Sequence, residues 1–181
     1  MKILVASDIH GSAFWCDKLL KAFEKEQADK LLLLGDLLYH GPRNPLPDQY
    51  DCPEVYEALN AVKEKIICVR GNCDSDVDQM VLEFPITAPV AVLEVKGRTV
   101  FATHGHLYDD VNPPMLQAGD ILLNGHFHVP TIKTLNNGIV YANCGSVGLP
   151  KGGSVNSYMV IDDALTIKSL STGETLRRYE L

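Results

Sequence analysis

At 181 residues the chain fits one domain, residues 1–181, and with 46% hydrophobic and 22% charged residues it can bury a core, which excludes a disordered chain. A formal net charge of −7 sets the surface against a phosphate backbone and argues against long nucleic acid as a partner. No apolar stretch approaches the ~18–20 residues that span a bilayer, and too few apolar residues follow Lys2 for a secretory leader.

The five cysteines (Cys16, Cys52, Cys68, Cys73 and Cys144) are odd in number and lack C-x-x-C spacing. They are expected to be reduced thiols of a cytoplasmic protein, with Cys16 and Cys68 as core residues. Oligomeric state is left open, with a homo-oligomer as one option.

In chain order, Lys2–Ala6 is predicted as a strand, Ser7–Ser12 as a loop, and Phe14–Glu26 as an amphipathic helix carrying Trp15, Leu19, Leu20 and Phe23. Leu31–Leu34 is a short, wholly apolar strand of the kind found in parallel sheets covered on both faces. Tyr39–Cys52 holds Gly41, Pro42, Pro45 and Pro47 and is read as a loop. Pro53 then suits the first turn of a helix carrying Val55, Tyr56, Leu59 and Val62, and Ile66–Val69 is the third strand.

This β-α-β-α-β beginning implies right-handed crossovers. Beyond Val81 the pattern turns to hairpins: Val90–Val95 and Arg98–Thr103 about Lys96-Gly97, and Thr131–Leu135 and Ile139–Ala142 about Asn136-Asn137-Gly138. Asp120–Asn124 is a strand between them. Ser157–Ile161, Leu165–Leu170 and Thr175–Tyr179 form an antiparallel tail. The fold class is therefore α/β, with two mixed β-sheets packed face to face and helices outside.

Three short pairs carry the chemistry: Asp8-Ile-His10, His104-Gly-His106 and His126-Phe-His128, following the apolar runs KILVAS, RTVFAT and DILLNG. They hold five of the six histidines. Gly35-Asp36 and Gly71-Asn72-Cys73-Asp74 end two further apolar runs. Strand ends of an α/β sheet share one rim, where binding sites tend to lie, so five ligand-bearing ends could hold two metal ions. A lone pair of this kind is more often a surface or satisfied core histidine. Three pairs in step with two acidic or amide blocks are much harder to assign to chance.

In order, Asp8-x-His10, Gly35-Asp36, Gly71-Asn72-x-Asp74, His104 and Gly125-His126-x-His128 resemble the five blocks of the calcineurin-like metallophosphoesterases. The segment Gly35–Asn44 and the Gly-Asn-Cys-Asp block are more closely similar to the small YfcE-type bacterial phosphodiesterases. The resemblance runs from residue 1 to about residue 150 and implies a four-layer α/β sandwich around a dinuclear centre. Carried over residue by residue, it assigns one metal to Asp8, His10, Asp36 and His128, and the other to Asp36, Asn72, His104 and His126. Asp36 is then the bridge. Two divalent ions about 4 Å apart repel by roughly 16 kcal/mol at an effective dielectric near 20, so neutral ligands alone would not hold them together.

The reaction this implies is hydrolysis of a small phosphodiester by a metal-bridged hydroxide, with metals stabilising the equatorial oxygens. Carboxylate, amide and imidazole ligands without thiolate favour Mn, Fe or Zn over Mg or Ca, and the resemblance implies Mn, with Fe, Zn, Co or Ni as alternatives. Many relatives carry a histidine where Cys73 stands, and a thiol is a weaker proton donor, so good leaving groups should be favoured.

Cys73 is equally readable as a small filler beside the site. Asp74 has a catalytic-site reading, orienting a histidine or water, beside a plain loop or capping role. His106 is a substrate contact or a surface histidine. His40 and Arg43 are substrate contacts or solvated loop residues. Asn143-Cys144-Gly145-Ser146 resembles a family loop near the metals. Rival functions are a phosphomonoesterase or protein phosphatase, a nuclease, and a non-catalytic scaffold like the small retromer subunit, which shares the fold.

Overall fold

The computed structural model describes residues 1–181. The first sheet contains β1 (Ile3–Ala6), β2 (Lys30–Leu33), β3 (Ile66–Cys68), β9 (Ser157–Ile161), β10 (Ala164–Ser169) and β11 (Thr175–Glu180), in the order β11-β10-β9-β1-β2-β3. The second contains β4 (Val90–Val95), β5 (Arg98–Thr103), β6 (Ile121–Asn124), β7 (Thr131–Thr134) and β8 (Val140–Asn143), in the order β4-β5-β6-β8-β7. Both are mixed. β1, β2 and β3 run parallel, as do β5, β6 and β8, while β4, β7, β9, β10 and β11 pair antiparallel.

Alternation along the strands builds the layers. Leu4, Ala6, Leu31 and Leu33 turn to one side and meet α1 (Ala13–Glu26) and α2 (Cys52–Asn60). Ile3, Val5 and Leu32 turn to the other and pack against Val100, Ala102, Ile121, Leu123 and Val140 of the second sheet. On the outer face of the second sheet, Leu116 packs with Leu122, Ile139 and Tyr141, and Tyr108 meets Phe101 edge-on at 5.6 Å. Residues between β5 and β6 thus supply that covering without a helix.

The element boundaries that shift have local causes. The second helix begins at Cys52 because the Asp51 carboxylate accepts from Glu54 N–H, 3.0 Å away, with Pro53 in its first turn. It stops at Asn60, leaving Val62 outside, and the Asn60 side chain clasps Val81 C=O and Glu83 N–H. Asp120 lies before β6, since its carboxylate caps Thr99 and Gln117 N–H at 3.0 and 2.9 Å. Ser12 caps α1 and also donates to Asp48 C=O at 2.6 Å, tying the loop after β1 to the proline-rich segment.

Candidate metal centre

The loops after β1, β2, β3, β5 and β6 meet at one end of the two sheets. Asp8 Oδ2 accepts from His126 N–H at 2.9 Å, which joins the first sheet's rim to the second's. Gly125 makes the approach feasible, because a Cβ there would lie 1.9 Å from Ser7 Oγ and 2.7 Å from Asp8 Oδ2. Asp8, His10, Asp36, His126 and His128 all adopt left-handed backbone, with φ between 52° and 62°. A non-glycine residue there costs about 1–3 kcal/mol, and such strain clusters where a site demands it.

These turns aim the side chains inward. His128 Nε2 lies 3.1 Å from Asp8 Oδ1 and 3.4 Å from His10 Nε2, which in turn is 3.6 Å from Asp8 Oδ1. Asp36 Oδ2 stands between two imidazoles, 3.8 Å from His10 Nε2 and 3.4 Å from His104 Nε2. His104 Nε2 is also 3.0 Å from Asn72 Oδ1 and 3.2 Å from His126 Nδ1. All seven expected ligand side chains therefore meet in one place. Asp8, His10, Asp36, His104 and His128 are buried, and Asn72 is on the exposed side.

Backbone carbonyls set the histidine tautomers. Nδ1 of His10 donates to Tyr39 C=O at 2.7 Å, Nδ1 of His104 to Leu34 C=O at 2.6 Å, and Nδ1 of His128 to Leu149 C=O. A neutral ring so held turns an Nε2 lone pair inward, towards carboxylate, amide oxygen or another lone pair, and a protonated one donates from Nε2 to the carboxylates. Asp8 Oδ1 is buried without a hydrogen-bond donor. This is the donor set of a cation site, and the residues fit divalent metal ions. Asp8, His10 and His128 could form one cluster, and Asp8, Asp36 and His104 another.

The electrostatics agree. Burial raises the Asp8 carboxyl, but His10 and His128 outweigh it and hold it well below the usual carboxylate range. Burial opposes charge on His104 too, yet Asp36 and Asp8 push its imidazole up to about 9. A proton is drawn to the spot where lone pairs converge. Burial and the charge on His104 hold His126 down at about 4.

Asp74 has a mainly structural setting. Its Oδ2 accepts from Asp36 N–H at 2.9 Å and Gly71 N–H at 2.7 Å, and its Oδ1 accepts from Leu37 N–H at 2.9 Å. The carboxylate braces the backbone that presents Asp36. Cys73 N–H donates to Asp36 Oδ1 at 2.7 Å, which leaves Oδ2 free to face the imidazoles. Gly71 is required beside it, since a Cβ would come within 2.1 Å of Asp36 Oδ1.

A cleft of about 910 Å³ opens over the centre, bordered by His10, Asp36, Asn72, Cys73, His126 and His128. Arg43 lines it. His106 stands beside it, its ring 5.4 Å from His104 and 6.2 Å from His126. His40 corrects the reading. It is not among the residues facing the cleft, and its ring is wedged edge-on between Tyr39 and Tyr50, at 4.9 and 5.3 Å.

Sequence reasoning missed Arg70 and Lys151, which also line the cleft. Arg70 directly precedes Gly71-Asn72, a signal that was available. Lys151 gave none, since only folding brings its backbone to His128 C=O at 3.1 Å. The Asn143–Ser146 loop does reach the site: Asn143 Nδ2 donates to Gly125 C=O at 2.6 Å and Ser146 Oγ to Asp8 C=O at 2.9 Å.

The model of the calcineurin-like phosphoesterase superfamily domain matches residues 1–164. The chain is 46% identical over 172 residues to Phosphodiesterase YfcE of Escherichia coli K12, covering 94% of this chain and 93% of that protein. The solved structure of Yfce, described as a phosphoesterase from E. coli, superposes with a TM-score of 0.96 at 44% identity and 99% coverage of both chains. Vps29 of Entamoeba histolytica, solved with Zn, shares the fold at a TM-score of 0.62 and 21% identity over 99% of both chains.

Proposed function

This chain belongs to the calcineurin-like phosphoesterase superfamily, and from that membership we propose that it is a dinuclear metal-dependent phosphodiesterase acting on small phosphodiesters. One metal would be held by Asp8, His10, Asp36 and His128, and the other by Asp36, Asn72, His104 and His126. Two divalent ions, Mn by preference, would supply hydroxide at neutral pH and neutralise charge on phosphoryl oxygens.

The chain's own groups do the rest. The carbonyls of Tyr39, Leu34 and Leu149 hold three imidazoles in the tautomer that presents Nε2. Asp74 and the Cys73 amide hold Asp36 so that Oδ2 faces inward. Arg70 is engaged by Asp76 at 3.1 Å, leaving Arg43 and Lys151 as cations at the cleft wall for the diester anion.

Burial and the Asp36 carboxylate push the Cys73 thiol up to about 12. Whatever the metals do to that value, a thiol is a poorer proton donor to a departing alkoxide than an imidazolium, so diesters with acidic leaving groups are the better substrates. The same weakness disfavours monoester hydrolysis. Five free thiols fit a reducing compartment, and we place the protein in the cytoplasm.

The observation that carries this reading is Asp36 Oδ2 standing between His10 and His104 Nε2. The test is hydrolysis of bis(4-nitrophenyl) phosphate by Mn-loaded protein, with 4-nitrophenyl phosphate as the monoester comparison. The diester should be the faster substrate, and Asp36→Asn should abolish its turnover. A faster monoester, or an Asp36→Asn protein of native activity, would overturn it.

A further inference from the structure

Beside the cleft lies a second hollow of about 400 Å³ with the opposite chemistry: eight of its ten lining residues are hydrophobic, against two of sixteen around the cleft. Leu38, Tyr50 and Tyr56 line it with Val77 and Val81, and three residues, Tyr39, Cys73 and Ser75, border both spaces. Tyr39, Val77 and Val81 are 42%, 68% and 37% exposed, so apolar surface stays open to solvent next to the candidate metal centre.

Two of the shared residues are tied to the centre. Tyr39 C=O accepts from His10 Nδ1 at 2.7 Å, and Cys73 N–H donates to Asp36 Oδ1 at 2.7 Å. The hollow therefore keeps a constant register to any phosphate bound there. His40 stiffens it further, because its ring separates Tyr39 from Tyr50 and contacts both edge-on. Three tyrosine rings and the Cys52 sulfur suit a flat, polarisable ring, with Ser75 and Asp78 as the polar residues of the lining.

We propose that this hollow is a subsite for an aromatic ester group of the substrate, so that aryl phosphodiesters are selected by ring binding and not only by leaving-group acidity. The inference rests on the phosphodiesterase reading above, and binding separates the two. Phosphinates are suitable probes: they carry the single negative charge of a diester and, with only carbon bonded to phosphorus besides the oxygens, are not hydrolysed.

Calorimetry on zinc-loaded protein would compare dimethylphosphinate, cyclohexylmethyl(methyl)phosphinate and benzyl(methyl)phosphinate. The benzyl compound should bind about tenfold tighter than the dimethyl compound, with the cyclohexylmethyl compound between them. Val77→Asp and Val81→Asp, on the exposed rim, should each erase most of that preference and leave dimethylphosphinate affinity unchanged. Equal affinities, or a preference that survives both substitutions, would overturn the subsite and leave the metal centre standing. Failure of all three to bind, together with no diester hydrolysis, would overturn both.

Discussion

His10 and His128 point their Nε2 atoms at each other across 3.4 Å, and each ring has its Nδ1 engaged by a backbone carbonyl. Two neutral imidazoles so held confront lone pair to lone pair, with Asp8 Oδ1 beside them. The arrangement is unfavourable until a cation or proton lies between them. Removing divalent metal by chelation should therefore lower the melting temperature by several degrees, and adding Mn or Zn back should restore it. An unchanged melting temperature would remove this part of the account.

Cys73 offers a test of leaving-group preference. A thiol, whose ordinary value is about 8.5, is a weaker proton donor than an imidazolium at neutral pH. Cys73→His should raise turnover of diesters with poor alkoxide leaving groups about tenfold or more, and that of 4-nitrophenyl diesters far less. Equal effects on both substrates would show that the residue acts only as filler.

Asp74 should be worth more to the fold around Asp36 than to proton transfer. Burial raises its carboxyl while the Leu37, Gly71 and Asp36 amides oppose that rise. Asp74→Ala leaves those buried donors unpaired and should cost about 2–4 kcal/mol in urea unfolding. Loss of activity without loss of stability would instead make Asp74 part of the chemistry.

A fourth prediction concerns the far end of α1. Glu26 bonds Lys168 at 2.6 Å, Lys2 at 2.9 Å and Tyr158 at 3.0 Å. Burial would raise its carboxyl, but these partners together hold it at about 2, below the ordinary 4.5. A depressed carboxyl contributes stability above its unfolded value and loses it as pH falls. Glu26→Gln should cost about 1–2 kcal/mol at pH 7, and the gap from the native protein should close between pH 4.5 and 2. A gap independent of pH would contradict the pairing.

The positions of the candidate ligands were legible because few residue types bind metal and each followed an apolar run. The hairpin about Lys96-Gly97 was equally legible, since its turn chemistry is local. The left-handed backbone at Asp8, His10, Asp36, His126 and His128 was not, because Asp and His adopt φ near 60° more readily than most residues but still only in a small minority of cases. Only the converging geometry of the site imposes it. The tail strands read correctly as antiparallel, but the insertion of β9 beside β1 is set by sheet packing, not by local pattern. The packing of the His40 ring with Tyr39 and Tyr50 was likewise not legible, because only the folded loop brings Tyr50 to it.

The most direct measurement is the divalent-metal content of the protein after Mn loading and removal of free metal, taken with diester turnover on the same sample. The account predicts two ions per native chain, a substoichiometric content for Asp36→Asn, and hydrolysis only where both ions are bound. A native chain that retains no more than a trace of metal, or one that hydrolyses diesters fully after stripping, would contradict it.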